Sequence, residues 1–175
     1  MASFFTHPAF PVAVYLSKAS EKISKPLLIY SSFLTLLPDV DVIAFKFGIS
    51  YESQWGHRGF THSIVFAIAI GLLSIPWSGK FKSSKRIVFL MAFFSTLSHS
   101  VFDALTNGGL GVAFLWPFDH SRYFLPIHPV EVSPIGVMGF LSFRGVVVVL
   151  SEILWIWLPC LMLSFLLRKF LTRQR

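Results

Sequence analysis

Charged residues are scarce in this chain of 175 residues. Only 13% of its residues are charged, whereas 54% are hydrophobic and phenylalanine alone occurs 20 times. A soluble domain has about a quarter of its residues charged, and one of this size cannot bury so much apolar surface. The composition therefore excludes an ordinary soluble globule and predicts an integral membrane protein.

Cysteine is nearly absent, and the chain starts without basic residues. Cys160 is the single cysteine and lies inside an apolar run, so it can form no disulfide within the chain. We interpret it as a small buried hydrophobic residue. The first basic residue is Lys18, so the N-terminus lacks the charged region of a secretory signal peptide. We expect these residues to be part of the mature protein.

Long basic recognition elements are missing as well, although the net charge is +7. The lysines and arginines form short clusters at the ends of apolar runs, which is typical of the cytoplasmic flanks of membrane helices. We therefore expect no nucleic-acid partner. The oligomeric state is left open by the sequence.

Four apolar stretches predict the fold. They cover residues 27–47, 63–77, 87–105 and 145–170. Residues 8–17 predict a short N-terminal helix, and "GGLGVAFLWPF" at 108–118 predicts a re-entrant or interfacial loop. We expect an all-α, polytopic membrane helical bundle with about four transmembrane helices. It forms one integral-membrane domain over residues 1–175.

The basic clusters predict the orientation of this bundle. They are Lys18, Lys22 and Lys25, then residues 79–86, then residues 168–175. If the apolar stretches alternate in direction, all three clusters lie on one side of the membrane. Short loops rich in lysine and arginine stay in the cytoplasm. We therefore expect a multi-pass protein of the cell (inner) membrane with a cytoplasmic C-terminus.

Seven polar residues fall at one depth when the stretches are laid out as helices. They are His7, Asp39, Asp41, His57, His62, His99 and Asp103. Lys25 to Asp39 is about 21 Å of helical rise, and Arg86 to His99 is about 20 Å. We expect the seven side chains to converge in the outer half of the membrane or just beyond it, towards the non-cytoplasmic side.

Three motifs in this layer contain the residue types of a metal site. "LSHSVFDAL" places His99 and Asp103 four residues apart, so both side chains project from one helical face. "LLPDVDV" supplies two carboxylates after Pro38, where a helix is expected to break, and "GHRGFTHS" supplies two imidazoles. Mixed histidine and aspartate ligation suits Zn²⁺, which we expect, with Mn²⁺ or Fe²⁺ as alternatives and one or two ions bound.

Each motif also has a purely structural interpretation. His99 and Asp103 could form a neutral hydrogen-bonded pair, and Asp39 could cap a helix. Arg58 could pair with Asp39 or Asp41, or it could hold a substrate phosphate. Ionisable groups at membrane depth are costly and usually functional, and three such motifs at one level favour the metal site.

A proline-rich stretch at residues 116–129, "WPFDHSRYFLPIHP", has two interpretations. Its aromatic residues and its polar Asp119, His120 and His128 could form an interfacial belt. Alternatively it is a lid or headgroup pocket in which Arg122 contacts an anion.

The motifs "LLPDVD", "GHRGFTHS", "SHSVFDALTNGG" and "LWPF…RYFLPI" resemble those of the LexA-regulated, inner-membrane metal-dependent hydrolases of the YdjM type. They occur in the family's order over residues 5–130, and His7 matches a histidine near the family's N-terminus. The resemblance implies a hydrolase core at 5–130, and it supplies no substrate. The C-terminal transmembrane helix that we expect at 145–170 rests on the apolar run there.

The order of the ligands is also loosely similar to that of zinc-dependent phospholipase C. This chain lacks a later histidine and glutamate pair at clear spacing, so one or two ions are expected rather than three.

We therefore expect metal-assisted hydrolysis of a lipid or lipid-linked ester or phosphoester. A bound ion would lower the pKa of a water molecule. Asp41 would accept the proton, and Arg58 and Arg122 would stabilise negative charge on the substrate. A small proton or metal-ion transporter is one alternative, and a structural membrane protein with histidine–aspartate contacts between helices is another.

Overall fold

The computed structural model describes residues 1–17, 23–134 and 137–173. Within these residues every regular element is helical and no strand occurs, which confirms the all-α prediction. Lys18, Lys22 and Arg175, on which the predicted orientation partly depends, lie outside the described residues.

The chain forms eight α-helices in its described part. They are α1 (Ala9–Leu16), α2 (Lys25–Leu34), α3 (Ile64–Ser74), α4 (Ser78–Phe81), α5 (Lys85–Ala104), α6 (Val137–Phe140), α7 (Phe143–Glu152) and α8 (Leu158–Arg173). Three 3-10 segments add to them: Pro38–Phe47, Phe60–His62 and Ile75–Trp77. A π-helical turn, Ile153–Trp157, joins α7 to α8.

Four stretches in the described residues are long and apolar enough to cross a membrane. They are Lys25–Phe47, Ile64–Phe81, Lys85–Ala104 and Phe143–Leu171. Their positions confirm the predicted polytopic bundle, and α1 confirms the short N-terminal helix. Residues 108–118 lie in a loop outside the helices, as expected. That this loop enters the membrane stays a prediction.

A serine caps the start of each spanning stretch. Ser24, Ser63, Ser84 and Ser142 each immediately precede one stretch, and each side chain accepts a hydrogen bond from a backbone N–H in the first turn. The first N–H groups of a helix have no partner within it, and a serine oxygen satisfies one of them. These serines explain why the apolar runs begin as helices where they do.

Proline ends α2 and places the two neighbouring aspartates. The α-helix stops at Leu34 because Pro38 has no N–H to donate to the Leu34 carbonyl and its ring crowds that carbonyl. Pro38 then opens the 3-10 segment. The segment ends at Gly48, whose φ of 73° suits glycine. Asp39 and Asp41 lie in its first turn. The change of helix type therefore occurs directly beside the acidic pair.

The central helix of the bundle is α5. In its most apolar window 61% of residues are buried, against 17–33% for the other three spanning stretches. α5 packs against α2 and α3, and Gly71 of α3 permits a close approach to it. A side-chain carbon at Gly71 would lie 2.9 Å from the Phe89 ring. The central position of α5 explains how its polar residues can lie far from lipid.

We predict that Gly71→Leu destabilises the bundle by roughly 1–3 kcal/mol, because a larger side chain overpacks the α3–α5 contact. Gly79→Leu is the matched control, since nothing lies within 4 Å of a carbon added there. Thermal unfolding in detergent, followed by tryptophan fluorescence, measures both. Equal midpoints for the two variants would contradict this packing.

Candidate metal centre

Helix α5 brings His99 and Asp103 into the interior. Both side chains are completely buried, one helical turn apart. Because α2 ends at Leu34, the Thr35 carbonyl is open to a side-chain donor, and His99 Nδ1 lies 2.7 Å from it. A carbonyl oxygen only accepts, so Nδ1 carries the proton. In the neutral ring His99 Nε2 is then a lone-pair donor that points away from Thr35.

His62 is oriented in the same way by a different partner. Its Nδ1 lies 3.2 Å from Asp41 Oδ2 and 3.0 Å from the Thr61 hydroxyl oxygen, while that hydroxyl donates its own proton to Asp41 at 2.7 Å. Both neighbours of Nδ1 are thus acceptors, and Nδ1 carries the proton. His62 Nε2 is left as a second lone-pair donor.

Two carboxylate oxygens complete the set. Asp39 Oδ1 and Asp103 Oδ2 are buried and receive no hydrogen bond from residues 1–17, 23–134 or 137–173. Arg58 Nε lies 3.0 Å from Asp103 Oδ2, which is an ion-pair distance without hydrogen-bond geometry. The other oxygen of Asp103 accepts the Ala2 N–H at 2.7 Å.

These four atoms converge, and we call Asp39, His62, His99 and Asp103 the inner cluster. His99 Nε2 lies 3.0 Å from His62 Nε2 and 3.3 Å from Asp39 Oδ1. The remaining distances that involve either imidazole Nε2 are 3.8–3.9 Å. Ligands around a tetrahedral zinc ion lie about 3.3 Å apart. The spacing of the inner cluster brackets that value.

The chemistry of the inner cluster fits a divalent cation. All four atoms are hydrogen-bond acceptors in these tautomers, so two imidazole lone pairs face each other at 3.0 Å with two carboxylate oxygens beside them. Buried acceptors without donors are destabilising, and a bound cation removes that penalty. Histidine ligands in proteins also donate their other N–H to a carbonyl or carboxylate, as His99 and His62 do here.

A second group, Asp41, His57 and His62, could also hold an ion by its spacing. The carboxylate of this group is already hydrogen-bonded, because His57 Nδ1 lies 2.7 Å from Asp41 Oδ1. The backbone N–H of Arg58 donates to Asp41 Oδ2 at 3.1 Å, beside the two contacts from residues 61 and 62. Direct ligation by Asp41 and His57 stays a prediction, and the observed bonds give Asp41 the position of an orienting residue behind His62.

His7 lies against the inner cluster from the N-terminal side. Its ring stacks on that of His99, with centroids 3.8 Å apart and planes 16° from parallel. Burial, reinforced by the neighbouring His99, lowers the pKa of His7 to about 3, so the ring is neutral at physiological pH. Its Nε2 is 3.9 Å from Asp103 Oδ1. His7 is thus adjacent to the cluster, and its predicted ligation stays a prediction.

Burial also governs the charge state of His62. It lowers the pKa of the imidazole, while the hydrogen bond to Asp41 acts in the opposite direction. The lowered pKa favours the neutral ring with one free lone pair, which is the form that binds metals.

Arg58 makes a pair that the sequence did not indicate. It pairs with Asp103 rather than with Asp39 or Asp41, and its terminal nitrogens donate to the Gly108 carbonyl at 2.9 Å and to the Thr106 hydroxyl at 3.1 Å. The guanidinium is completely buried. It therefore lies behind Asp103 as a fixed positive charge.

A glycine makes room for this arginine. Gly109 has a φ of 88°, and a side-chain carbon there would lie 2.8 Å from Arg58 Nη1. The "TNGG" motif thus has a packing reason in addition to its turn conformation.

Arg122 reinforces the loop that contains His57. Its terminal nitrogens donate to the carbonyls of His57 at 2.8 Å, Tyr51 at 2.9 Å and Ser53 at 3.0 Å. The residue is half-buried, and a role in binding an anion stays a prediction.

The polar residues around Arg122 lie outside the inner cluster. Asp119 accepts a short hydrogen bond from Tyr123, and His128 is exposed. Neither Asp119 nor the histidines at 120 and 128 belong to a metal-sized group within the described residues.

Two contacts of the N-terminal residues were not predicted. The Ala2 N–H donates to Asp103, and Glu152 of α7 is buried against Ser3 and Thr6. A contact made by a backbone N–H cannot be recognised from a sequence pattern. Glu152 could have been recognised, since it is an acidic residue inside an apolar run.

Comparison with known proteins agrees with a location in the inner membrane. The family described as YdjM inner membrane protein matches this chain over residues 1–175. The inner membrane protein YbcI of Escherichia coli (strain K12) is 39% identical over 168 residues, which cover 95% of this chain and 97% of that protein. No solved structure matches.

We predict that purified protein binds zinc and that His99→Ala loses it, because the inner cluster then lacks one of two imidazole donors. His128→Ala is the control, since this exposed ring lies outside the cluster. Bound metal per chain after zinc loading and desalting is measured by plasma mass spectrometry. Full occupancy in the His99 variant would contradict the assignment.

Proposed function

This chain belongs to the YdjM inner membrane protein family, and on that basis we propose that it is a membrane-embedded, metal-dependent hydrolase. Its substrate is a lipid or lipid-linked molecule with an ester or phosphoester bond. One observation carries the proposal: four buried acceptor atoms converge, and the Nε2 atoms of His62 and His99 each lie 3.0–3.9 Å from the other three. Ionisable groups placed so deeply in a membrane protein usually serve a function.

Three members of the inner cluster, His62, His99 and Asp103, would hold one divalent ion, with zinc as the best match to two imidazoles and a carboxylate and with the fourth position left to water. Manganese and iron accept the same donor types and remain alternatives. When bound, such an ion supplies Lewis acidity that lets a water molecule ionise near neutral pH. A second ion at Asp41 and His57 would require these residues to exchange their present hydrogen bonds.

Asp39 is the member of the inner cluster at the side from which solvent and substrate would reach the site. Its side chain is 16% exposed, whereas His62, His99 and Asp103 are fully buried. A carboxylate at the open side of a site is placed to accept a proton from water. The sequence favoured Asp41 for that role. The four donors around Asp41 support an orienting role for it and favour Asp39 as the proton acceptor.

The two arginines would serve charge and shape. Arg58 places a buried positive charge 3.0 Å from Asp103, which offsets the negative charge of the cluster and of an anionic substrate. Arg122 donates to three carbonyls of the loop that contains His57, so it would act on the substrate only if one of these bonds opened.

An apolar groove beside the site supports a lipid substrate. It has a volume of about 550 Å³ and lies between the Pro38–Phe47 segment and the loop that follows it, with Ile43, Phe47 and Trp55 in its wall. Asp41 and Thr61 also line it, and both are hydrogen-bonded to the His62 network. A groove of this size takes a hydrocarbon chain, which would place the polar end of a lipid near the inner cluster.

The predicted orientation places this site on the non-cytoplasmic side. Lys25 lies at the start of the first spanning stretch and Lys85 at the start of the third, while Asp39 and His99 lie towards their opposite ends. The basic ends belong in the cytoplasm by the positive-inside rule. The substrate would accordingly lie in the outer leaflet of the inner membrane.

One observation favours ion or proton transport as a second candidate. Ser31 and Ser95 are buried hydroxyls that make no hydrogen bond with the described part of the chain, and each lies four residues before a cluster contact, Thr35 or His99. Unpaired hydroxyls at such positions could line a polar path. Zinc or proton flux into proteoliposomes that contain the wild-type protein, without hydrolysis of any lipid, would favour transport.

We predict that the purified protein hydrolyses phospholipids or lipid-linked phosphoesters in mixed micelles. Dialysis against a chelator should abolish product formation, and added zinc or manganese should restore it. Asp39→Asn should lower kcat at least tenfold, since the amide cannot accept a proton. Product release is measured by mass spectrometry over a panel of lipids. A zinc-loaded protein that cleaves none of them would contradict the proposal.

The groove predicts a dependence on chain length. Ala44→Trp should raise KM for a long-chain substrate roughly tenfold because it fills the groove. It should leave a short-chain, water-soluble ester unaffected. Val42→Trp is the control, since Val42 is exposed on the same 3-10 segment but outside the groove. Equal effects of Ala44→Trp on both substrates would exclude the groove as the chain site.

A further inference from the structure

Glu152 is a buried acid whose contacts lie entirely outside the inner cluster. It is the last residue of α7, directly before the π-helical turn, and it is 1% exposed. One carboxylate oxygen accepts a short hydrogen bond from the Ser3 N–H. The other accepts from the Ser3 hydroxyl at 2.6 Å and from the Thr6 hydroxyl at 2.8 Å. Three donors, all from the N-terminal segment, thus converge on one side chain.

That segment, residues 2–7, contacts the inner cluster on its other side. The Ala2 N–H holds Asp103 Oδ1 at 2.7 Å, and the His7 ring stacks on His99. Residues 2–7 therefore lie between Glu152 and two residues of the inner cluster. The apolar contacts of Ala2 and Ala9 with Ile156 bring the same elements together but are non-directional.

We infer that Glu152 is a positioning residue that fixes residues 2–7 against the inner cluster and thereby sets its affinity for metal. The inference rests on the proposed function only in requiring that the inner cluster binds a divalent ion. Glu152 acts through Ala2 on the carboxylate of Asp103 and through His7 on the ring of His99. It contacts neither metal nor substrate.

The physical reason is the direction of the bonds. A carboxylate in an apolar helix is expensive unless donors satisfy it, and here all of its donors come from the segment that covers the site. If the segment shifts, Asp103 Oδ1 loses its N–H donor and the carboxylate can rotate Oδ2 away from the cluster. Loss of such supporting bonds typically weakens metal binding by about 10–100-fold.

The first measurement is hydrogen–deuterium exchange of the full-length, metal-free protein. Glu152→Ala should raise exchange at the amides of residues 2–7, and Glu152→Gln should raise it less, since its carbonyl can still accept the Ser3 N–H. Ser151→Ala is the matched control. Ser151 lies beside Glu152 in the same helical turn, and its hydroxyl oxygen accepts a hydrogen bond from the Glu131 N–H, which this variant removes. Exchange at residues 2–7 that does not change in Glu152→Ala would overturn the anchoring.

The second measurement is zinc affinity, by competition with a chromophoric chelator. Glu152→Ala should weaken binding at least tenfold, Glu152→Gln by less, and Ser151→Ala not at all. The double variant Ser3→Ala/Thr6→Val removes the two hydroxyl donors without touching α7. It should weaken zinc binding by about the same factor as Glu152→Gln does. Adding Glu152→Gln to the double variant should change the affinity little, because both remove the same bonds.

The outcomes separate this inference from the proposed function. Unchanged zinc affinity in Glu152→Ala and in the double variant would overturn the inference and leave the hydrolase proposal intact. If the losses of zinc affinity caused by the double variant and by Glu152→Gln multiply in the triple variant, Glu152 does not act through residues 2–7. A wild-type protein that binds neither zinc, manganese nor iron would overturn the proposed function and the effect on affinity, while the exchange experiment would still decide the anchoring. If Glu152→Ala fails to fold, the milder double variant decides both measurements.

Discussion

Buried lone pairs that face one another need a positive charge between them. In the interior of this bundle two imidazole nitrogens and two carboxylate oxygens lie close together, and each imidazole nitrogen is 3.0–3.9 Å from the other three atoms. The hydrogen-bonded neighbours of these groups lie on their opposite sides. A hydrophobic bundle gains nothing in stability from such an arrangement. The fold is therefore organised around a buried polar cluster that could hold a cation rather than around a uniform apolar core.

The neighbouring elements are arranged to orient this set. The end of α2 exposes the Thr35 carbonyl that sets the tautomer of His99, and Asp41 on the 3-10 segment does the same for His62. The loop after α5 supplies two acceptors for Arg58, whose charge lies behind Asp103. Two of these groups, the Thr35 and Gly108 carbonyls, are backbone acceptors that a continuous helix would have kept for its own hydrogen bonds. Stability and site geometry depend on the same interruptions.

The sequence predicted more of the composition of the site than of its internal arrangement. Hydropathy was sufficient for the four spanning stretches, because helix length and backbone satisfaction leave few choices in a membrane. Depth counting grouped the histidines and aspartates, which the structure brings together. Counting residues along a helix axis gives neither the rotation of the helix about that axis nor the path of the loops. It therefore missed the pairing of Arg58 with Asp103 and the four contacts of Asp41.

By itself the sequence determined that the chain folds in a membrane, that the fold is all-α, and which residue types lie at the depth of the inner cluster. These properties depend on local hydrophobicity and on spacing along one helix. The tertiary structure decided which acceptor faces which, through contacts between residues far apart in the chain. Ala2 and Asp103 are 101 residues apart, and Ser3 and Glu152 are 149 apart. A hydrogen bond depends on distance and angle in three dimensions. Only the folded bundle sets these for groups that no local pattern connects.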